Sequence, residues 1–343
     1  MVSSITFRAQ TPVNQCENKE NIKVGNSFGG SLAALTAGGA IHLFGPLPVS
    51  TPIINGMQKY GNLPKQDGEV MKKAVLQMVK DNGLKEKGVR VKFLEPLDKL
   101  KKNNMRAGVK NIDPSEKFYR WFYDTFYIDS VRRGENAFFV STGVKLPKLD
   151  ATKYKELAAQ GSKKIKETAY YIKPNSVVLS KNKLFTAGFH EVGHAMNYNL
   201  STVGKFLQKC RPISMFAPVV LGIYGAISKK SKPKGENQEL TSAQKTNNFI
   251  RDNAGKLTFA AALPMLIEEA MATVKGQKYA NKVLKPDLAK KVLKGNAVAY
   301  CSYLAVALLG SLGVAAAVKI KDNAMEKKEY KALLKAQIAA QEA

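Results

Sequence analysis

The stretch that decides the fold is Phe189-His190-Glu191-Val192-Gly193-His194-Ala195-Met196. It contains two histidines four residues apart, with a glutamate directly after the first and no proline. Residues i and i+4 lie one turn apart on the same face of an α-helix, so both imidazoles can reach one ion. We therefore predict a helix from about Lys181 to Asn199, capped by Ser180 after a strand at Ser176–Leu179.

This spacing is typical of a catalytic zinc site. His190 and His194 can both bind a tetrahedral Zn²⁺ at about 2.0–2.1 Å, and Glu191 can accept a proton from water that the metal activates. The sequence has three histidines, and two of them stand in this five-residue frame. His42, the third, has no ligand-like neighbours and is not predicted to bind the metal.

A zinc ion held by two histidines needs a third protein ligand. We expect a carboxylate, because the three cysteines are far apart and form no CxxC pair. Glu268 and Glu269 are the best candidates, and adjacent helical residues point about 100° apart, so only one can face the metal. Small residues share the face of Glu269 and allow close helix packing, whereas Lys275 shares the face of Glu268 and favours a solvated carboxylate. We choose Glu269 and keep Glu268 as the alternative.

The charge balance favours a membrane surface over nucleic acid as a partner. Lys and Arg total 54 against 27 acidic residues, which gives a net charge of +27, and only eight of the 54 basic residues are Arg. Nucleic-acid readers rely on Arg, whereas a diffuse Lys excess suits anionic lipid or a solvated surface. We predict membrane lipid and a peptide or protein substrate as partners, and no nucleic acid. The polar residues 1–26 contain no apolar h-region, which predicts no cleavable signal peptide.

Four apolar segments suggest membrane-associated helices. Residues 28–49 could be a membrane helix, a re-entrant segment or buried core. Residues 212–228 form a borderline span, weakened at Pro218, and residues 257–267 are too short to span alone, so this pair could form a shallow hairpin. Residues 297–318 are 22 uncharged residues, about 33 Å as a helix, and are the clearest span.

The predicted organisation is an α+β, mainly α fold with a zincin-like metallopeptidase domain. An N-terminal segment, 1–63, precedes a catalytic region, 64–285, which includes a flexible linker at 229–256. Residues 286–343 carry the membrane helix at 297–318 and a charged helical tail.

The catalytic region begins as a mixture of helices and strands. Asp113-Pro114-Ser115-Glu116 is a good helix start, followed by an aromatic stripe at helical spacing over residues 118–126. Asn136–Ser141 is predicted to be a strand, either the edge along which an extended substrate pairs or an ordinary internal strand.

The sequence resembles the gluzincin class of metallopeptidases, and within it a bacterial family of membrane-embedded neutral zinc metallopeptidases. The motifs that carry the resemblance are Tyr171-Ile-Lys-Pro174, Val177-Val-Leu-Ser180, His190-Glu-Val-Gly-His-Ala195 and Leu263-Pro264 with a nearby Glu. The family's ligand Glu is followed by Ala at the third position and a small polar residue at the fourth, as Glu269 is here by Ala272 and Thr273. The family's proline lies closer to that Glu than Pro264 does to Glu269, so the choice between Glu268 and Glu269 stays open.

The resemblance implies membrane residence and endopeptidase activity. Asn136-Ala-Phe is similar to the substrate strand of membrane proteases of the prenyl-protein and heat-shock type. We therefore expect a zinc endopeptidase of the bacterial cytoplasmic membrane, with the Lys-rich catalytic region facing the cytoplasm. Tyr198 is a conceivable oxyanion donor. The alternatives are a non-enzymatic, basic, membrane-anchored protein that binds anionic lipid or an acidic partner, and a soluble zincin with a long apolar core.

Overall fold

The structure, a computed structural model, describes residues 27–44, 47–95, 128–141, 174–233 and 238–342. It is mainly helical with one small sheet, which confirms the predicted mainly α class. The predicted helix start at residues 113–116 and the aromatic stripe after it lie outside these ranges. The helices are α1 Phe28–Phe44, α2 Leu47–Gly61, α3 Lys65–Asp81, α4 Asp129–Arg133, α5 Ala187–Leu200, α6 Thr202–Lys209, α7 Arg211–Ile227, α8 Ser242–Asp252, α9 Ala254–Val283 and α10 Pro286–Glu342.

The sheet places the strand that precedes α5 at its centre. Strand β3, Ser176–Ser180, lies between β1, Arg90–Leu94, and β2, Phe138–Val140. It pairs parallel to β1 and antiparallel to β2, and all its residues are buried. Both predicted strands are confirmed, and β2 is an edge of the described sheet.

The main hydrophobic core surrounds α5. It draws residues from α3, β3, α5 and the facing parts of α9 and α10. Gly188 brings α5 close to α3, because a Cβ there would lie 2.8 Å from Cγ2 of Val75. The helix of the histidine motif is therefore a central core element. The buried residues of this core include Met71, Val75, Met78, Val177, Leu179, Phe189, Val192, Tyr279, Ala280, Leu288 and Val292.

Helix α5 begins six residues later than predicted. Ser180 ends β3 and caps no helix, and the chain turns before the helix begins at Ala187. The turn is set by Leu184, whose φ of 53° lies in the left-handed region that disfavours bulky side chains. The backbone N–H of Leu184 donates to Oδ1 of Asn62 at 3.0 Å, which holds this conformation.

In the described part of the chain, three helical stretches are long and apolar enough to cross a membrane: Thr202–Ile227, α9 and α10. Residues 257–267 were predicted to be too short to span, but they are part of the 30-residue α9, which continues through Pro264 to Val283. The shallow hairpin of residues 212–228 and 257–267 stays a prediction. The predicted span at 297–318 and the charged tail belong to the single 57-residue helix α10. Residues 28–49 contain the whole of α1 and the first residues of α2, and neither helix is among these three stretches.

The segment 229–256, predicted to be a flexible linker, contains a helix that the sequence analysis missed. Helix α8 begins with a capping box at Thr241. The Thr241 hydroxyl accepts from the N–H of Gln244 at 3.3 Å, and Oε1 of Gln244 accepts from the N–H of Thr241 at 2.8 Å. These two bonds satisfy N–H groups that the first turn leaves without helical partners.

The chain divides into two compact units. The core unit comprises Leu43–Ala217 and Phe259–Leu309, and the second unit comprises the remaining residues. Within the second unit, the buried guanidinium of Arg251 donates to the carbonyl oxygens of Gly225 at 2.9 Å and Ser228 at 2.6 Å, and it pairs with Asp322. These bonds cap the C-terminal end of α7.

Candidate metal centre

Glycines allow α5 and α9 to pack backbone against backbone. A Cβ on Gly193 of α5 would lie 2.2 Å from the carbonyl oxygen of Ala272 in α9. A Cβ on Gly276 of α9 would lie 2.6 Å from the carbonyl oxygen of Phe189. The predicted close packing of these two helices is confirmed, and it brings side chains that are more than 70 residues apart in sequence into contact.

Three potential ligand atoms converge at this contact. Nε2 of His190 lies 2.9 Å from Nε2 of His194 and 3.0 Å from Oε2 of Glu269. The third side of the triangle, from Nε2 of His194 to Oε2 of Glu269, is 3.2 Å. All three residues are buried. Ligands about 2.0–2.1 Å from a tetrahedral zinc lie about 3.3 Å apart, so the triangle needs to widen by only a few tenths of an ångström to fit the ion.

The other ring nitrogens of the two histidines are already engaged. Nδ1 of His190 lies 3.0 Å from Oγ1 of Thr273, and Nδ1 of His194 lies 2.8 Å from Oε1 of Glu268. When Nδ1 carries the proton, the Nε2 lone pair is free to bind a cation. Both imidazoles are thus oriented to bind a metal ion through Nε2.

Glu268 is fully buried, so the prediction that it would be a solvated carboxylate is wrong. Its Oε1 accepts from Nδ2 of Asn197 at 2.9 Å and from Nε2 of Gln208 at 2.7 Å, besides its contact with His194. Its hydrogen bonds therefore place it on the outer side of the His194 ring, while Glu269 lies on the inner side, beside both Nε2 atoms. The structure places Glu269 in the triangle, while Glu268 and Glu269 both lie close enough to His194 to form a group that could hold a metal ion, so the choice of Glu269 as the ligand stays a prediction.

Arg211, at the start of α7, was missed by the sequence analysis. Its guanidinium lies 2.5 Å from Oε2 of Glu268 and also contacts Oε1 of Glu269. Two adjacent buried carboxylates repel each other, and the guanidinium offsets that repulsion. In the sequence, Arg211 stands directly before the uncharged residues 212–228. That position by itself indicates a residue that flanks a membrane helix, and it does not indicate a contact with Glu268 or Glu269.

Glu191 lies beside the triangle without being part of it. One of its carboxylate oxygens and the ring nitrogens of His190 and His194 lie within 4.8 Å of one another. Burial raises the pKa of the Glu191 carboxyl, which strengthens it as a proton acceptor. Burial lowers the pKa of His194, but the charges of Glu269 and Glu268 outweigh that effect and raise it to about 10. A cation that binds His194 therefore displaces a proton.

A small cavity of about 30 Å³ borders His190 and Glu191. Asn296, Ala299 and Tyr303, on one face of α10, line one wall. Asn296 is 2% exposed, and its amide nitrogen has no hydrogen-bond partner among the described residues. An unsatisfied buried amide is costly, so its position in a cavity wall points to a polar group that binds there. The cavity is large enough for water.

Tyr198, considered above as an oxyanion donor, contacts other groups. Its ring lies 6.1 Å from the ring of Phe139, and the ammonium of Lys205 lies 5.3 Å from its centroid. The described lining of the cavity includes Tyr303 and not Tyr198. Asn136, in the turn before the edge strand β2, also lines the cavity.

The comparisons with known proteins give no relative. The chain matches no protein-family model, no curated protein sequence and no solved structure.

Proposed function

We propose that the protein is a zinc-dependent endopeptidase associated with a membrane. One observation carries the proposal: Nε2 of His190, Nε2 of His194 and Oε2 of Glu269 form a buried triangle with sides of 2.9, 3.0 and 3.2 Å. The Glu191 carboxylate lies next to it. Two imidazoles and one carboxylate are a ligand set of hydrolytic zinc enzymes, which keep a fourth position open for water or substrate.

The surrounding residues support zinc in preference to a purely structural cluster. A carboxylate on the outer nitrogen of a ligand histidine fixes its tautomer and raises its basicity, as Glu268 does for His194. The Thr273 hydroxyl contacts the outer nitrogen, Nδ1, of His190 in the same way. The motif resemblance described above implies the same metal, the two histidine ligands and a glutamate at position 268 or 269.

The residues of this chain have distinct roles in the proposed reaction. When bound, zinc supplies a Lewis acid that lowers the pKa of water and polarises the substrate carbonyl. Glu191 accepts the proton of the attacking water and returns it to the leaving amine. Arg211 holds the two carboxylates in place, and the amide of Asn296 binds a carbonyl oxygen of the substrate.

Membrane association is supported by the three long apolar helices. The chain runs away from the metal centre along α7, starting at Arg211, and returns to it along α9 at Glu268. From Arg211 to its end α7 has 17 residues, about 26 Å, and α9 reaches Glu268 after 15 residues, about 22 Å. Both lengths are below a hydrocarbon core of roughly 30 Å, so this pair dips into the bilayer and returns the carboxylates to the depth of the histidines. The lysine excess favours a catalytic region that faces the cytoplasm.

Zinc content and peptide hydrolysis, measured on the purified full-length chain, test the proposal. We expect about one Zn²⁺ per chain in the wild type and almost complete loss in His194→Ala, because two ligands hold zinc poorly. Glu191→Gln keeps the metal, and its rate of hydrolysis falls about 10²–10⁴-fold, since it loses only the general base. His42→Ala, which changes the remaining histidine, is the matched control and leaves both quantities unchanged.

A wild-type protein without zinc and without hydrolytic activity would refute the proposal. It would favour the non-enzymatic alternative, a basic membrane-anchored protein. Equal zinc loss in His42→Ala and His194→Ala would point to non-specific metal binding and would also count against the site.

A further inference from the structure

The metal centre lies where the uncharged parts of α7 and α9 meet the polar part of the core unit. Arg211, which contacts both carboxylates, is followed by the uncharged residues 212–228. In α9 the uncharged residues 257–267 lead directly into Glu268. The two helices run in opposite directions relative to the centre, and each changes from apolar to charged at it.

Helix α10 shows the same change at the same place. Asn296 lines the cavity beside His190 and Glu191, and the next 22 residues, 297–318, carry no charge. On the other side of Asn296, α10 exposes Lys290 and Lys294. Three helices from distant parts of the sequence therefore have their polar–apolar boundary at one level, which is the level of the candidate metal centre.

The exposed side chains next to the centre follow the same change, although single apolar residues such as Val274 and Leu293 are also exposed on its polar side. Large apolar side chains become exposed within two residues of the centre, including Ile213 at 61% and Ile267 at 49%. Exposed lysines lie on the polar side of the centre, at Lys278 of α9 and at Lys290 and Lys294 of α10. A helix surface that changes in this way fits a membrane–water interface, where apolar side chains face lipid and lysines face water.

From this position we infer that the substrates are polypeptides anchored in the same bilayer, cut in an extended segment close to their membrane anchor. The inference rests on the proposed endopeptidase function and adds the substrate class. An extended chain covers about 3.3–3.6 Å per residue, so a centre at the interface reaches peptide bonds within a few residues of the anchor. A peptide bond far from the anchor, in a long soluble loop, is not held at this level. Its only advantage over a free peptide is the higher local concentration that the tether gives.

Three substrates with one shared cleavable sequence test this inference on the full-length protein reconstituted in vesicles. The first joins the sequence to a transmembrane segment by about four residues, the second joins it by about 25 residues, and the third has no anchor. We expect the short-spacer substrate to be cut at least about 10-fold faster than the long-spacer one, because both are tethered and only the reach differs. Glu191→Gln, which keeps the metal, gives the background rate.

Equal rates for the two anchored substrates, or a preference for the long spacer or the free peptide, would overturn the inference and leave the endopeptidase function intact. Failure to cut any of the three by a protein that holds no zinc would refute the proposed function, and the inference with it. Zinc content measured on the same preparation separates these two results.

Discussion

The buried charged cluster around Arg251 and the one formed by His190, His194 and Glu269 differ in how donors and acceptors are paired. In the second unit, Arg251 donates to backbone carbonyl oxygens and pairs with Asp322, so each contact joins a donor to an acceptor. In the core unit, the Nε2 atoms of His190 and His194 lie 2.9 Å apart, and both face the carboxylate of Glu269. Once the proton of His194 is displaced, these three atoms all have lone pairs to offer a cation.

This difference separates a structural cluster from a candidate functional one. The hydrogen bonds of Arg251 cap the end of a helix. The triangle of acceptors becomes fully favourable when a divalent cation lies inside it, because the cation binds all three lone pairs at once. Burial of charge alone therefore does not identify a site, and the direction of the lone pairs does.

Removing the arginine from each cluster gives the largest expected difference. Arg211→Met leaves two fully buried carboxylates side by side and should destabilise the metal-free protein by about 3–5 kcal/mol. Arg251→Met should cost less, about 1–3 kcal/mol, because Asp322 is 29% exposed and stays hydrated. The free energy of unfolding of each variant is measured in detergent, first with a chelator present and then with zinc present.

Zinc should restore more stability to Arg211→Met than to Arg251→Met, because the cation offsets the repulsion between the two carboxylates. A zinc effect of equal size on both variants would remove the distinction between the clusters. A larger loss in Arg251→Met than in Arg211→Met would reverse it.

The helix contact that assembles the metal centre can be tested with one methyl group. Gly193→Ala places a Cβ 2.2 Å from a backbone carbonyl of α9, so the helices must separate. We expect a loss of about 1–3 kcal/mol in unfolding free energy together with weaker zinc binding. Gly222→Ala is the matched control, since the nearest atom to its new Cβ is 3.7 Å away. Tight zinc binding by Gly193→Ala would show that the close packing does not position the ligands.

The smallest expected effect is at the cavity wall. If the protein is the proposed endopeptidase, Asn296→Ala removes one hydrogen bond to its substrate and should lower kcat/KM about 2–10-fold, with unchanged zinc content. Asn323→Ala changes an exposed asparagine of the same helix and should leave kcat/KM unaffected. A loss of zinc in Asn296→Ala, or an equal loss of activity in the two variants, would mean that Asn296 has a structural role only.

The sequence was sufficient for those parts of the centre that follow local periodicity. The two histidines and Glu191 lie within one turn and a half of helix, so their spacing alone places them together. The choice of Glu269 followed from small residues on its helical face, which the structure places against α5. Strands β2 and β3 were also found, because alternating or continuous apolar residues mark short strands.

The missed features depend on partners distant in sequence. Arg211 and Asn296 have meaning for the centre only through packing with other helices, and no local pattern reports that. The late start of α5 depends on a hydrogen bond from Leu184 to Asn62, 122 residues earlier. The capping box at Thr241 was different, since its signal is local and was overlooked in a polar segment.

The backbone contact between α5 and α9 also gives a way to find other proteins with this centre. Because glycine is required where the two helices touch, each ligand helix carries a glycine at a fixed distance from its ligand. In this chain the patterns are His-Glu-x-Gly-His from His190 and Glu-x₆-Gly from Glu269. A search with this pair of short patterns depends on neither the rest of the sequence nor the distance between the helices, so it can recover chains whose remaining residues have diverged.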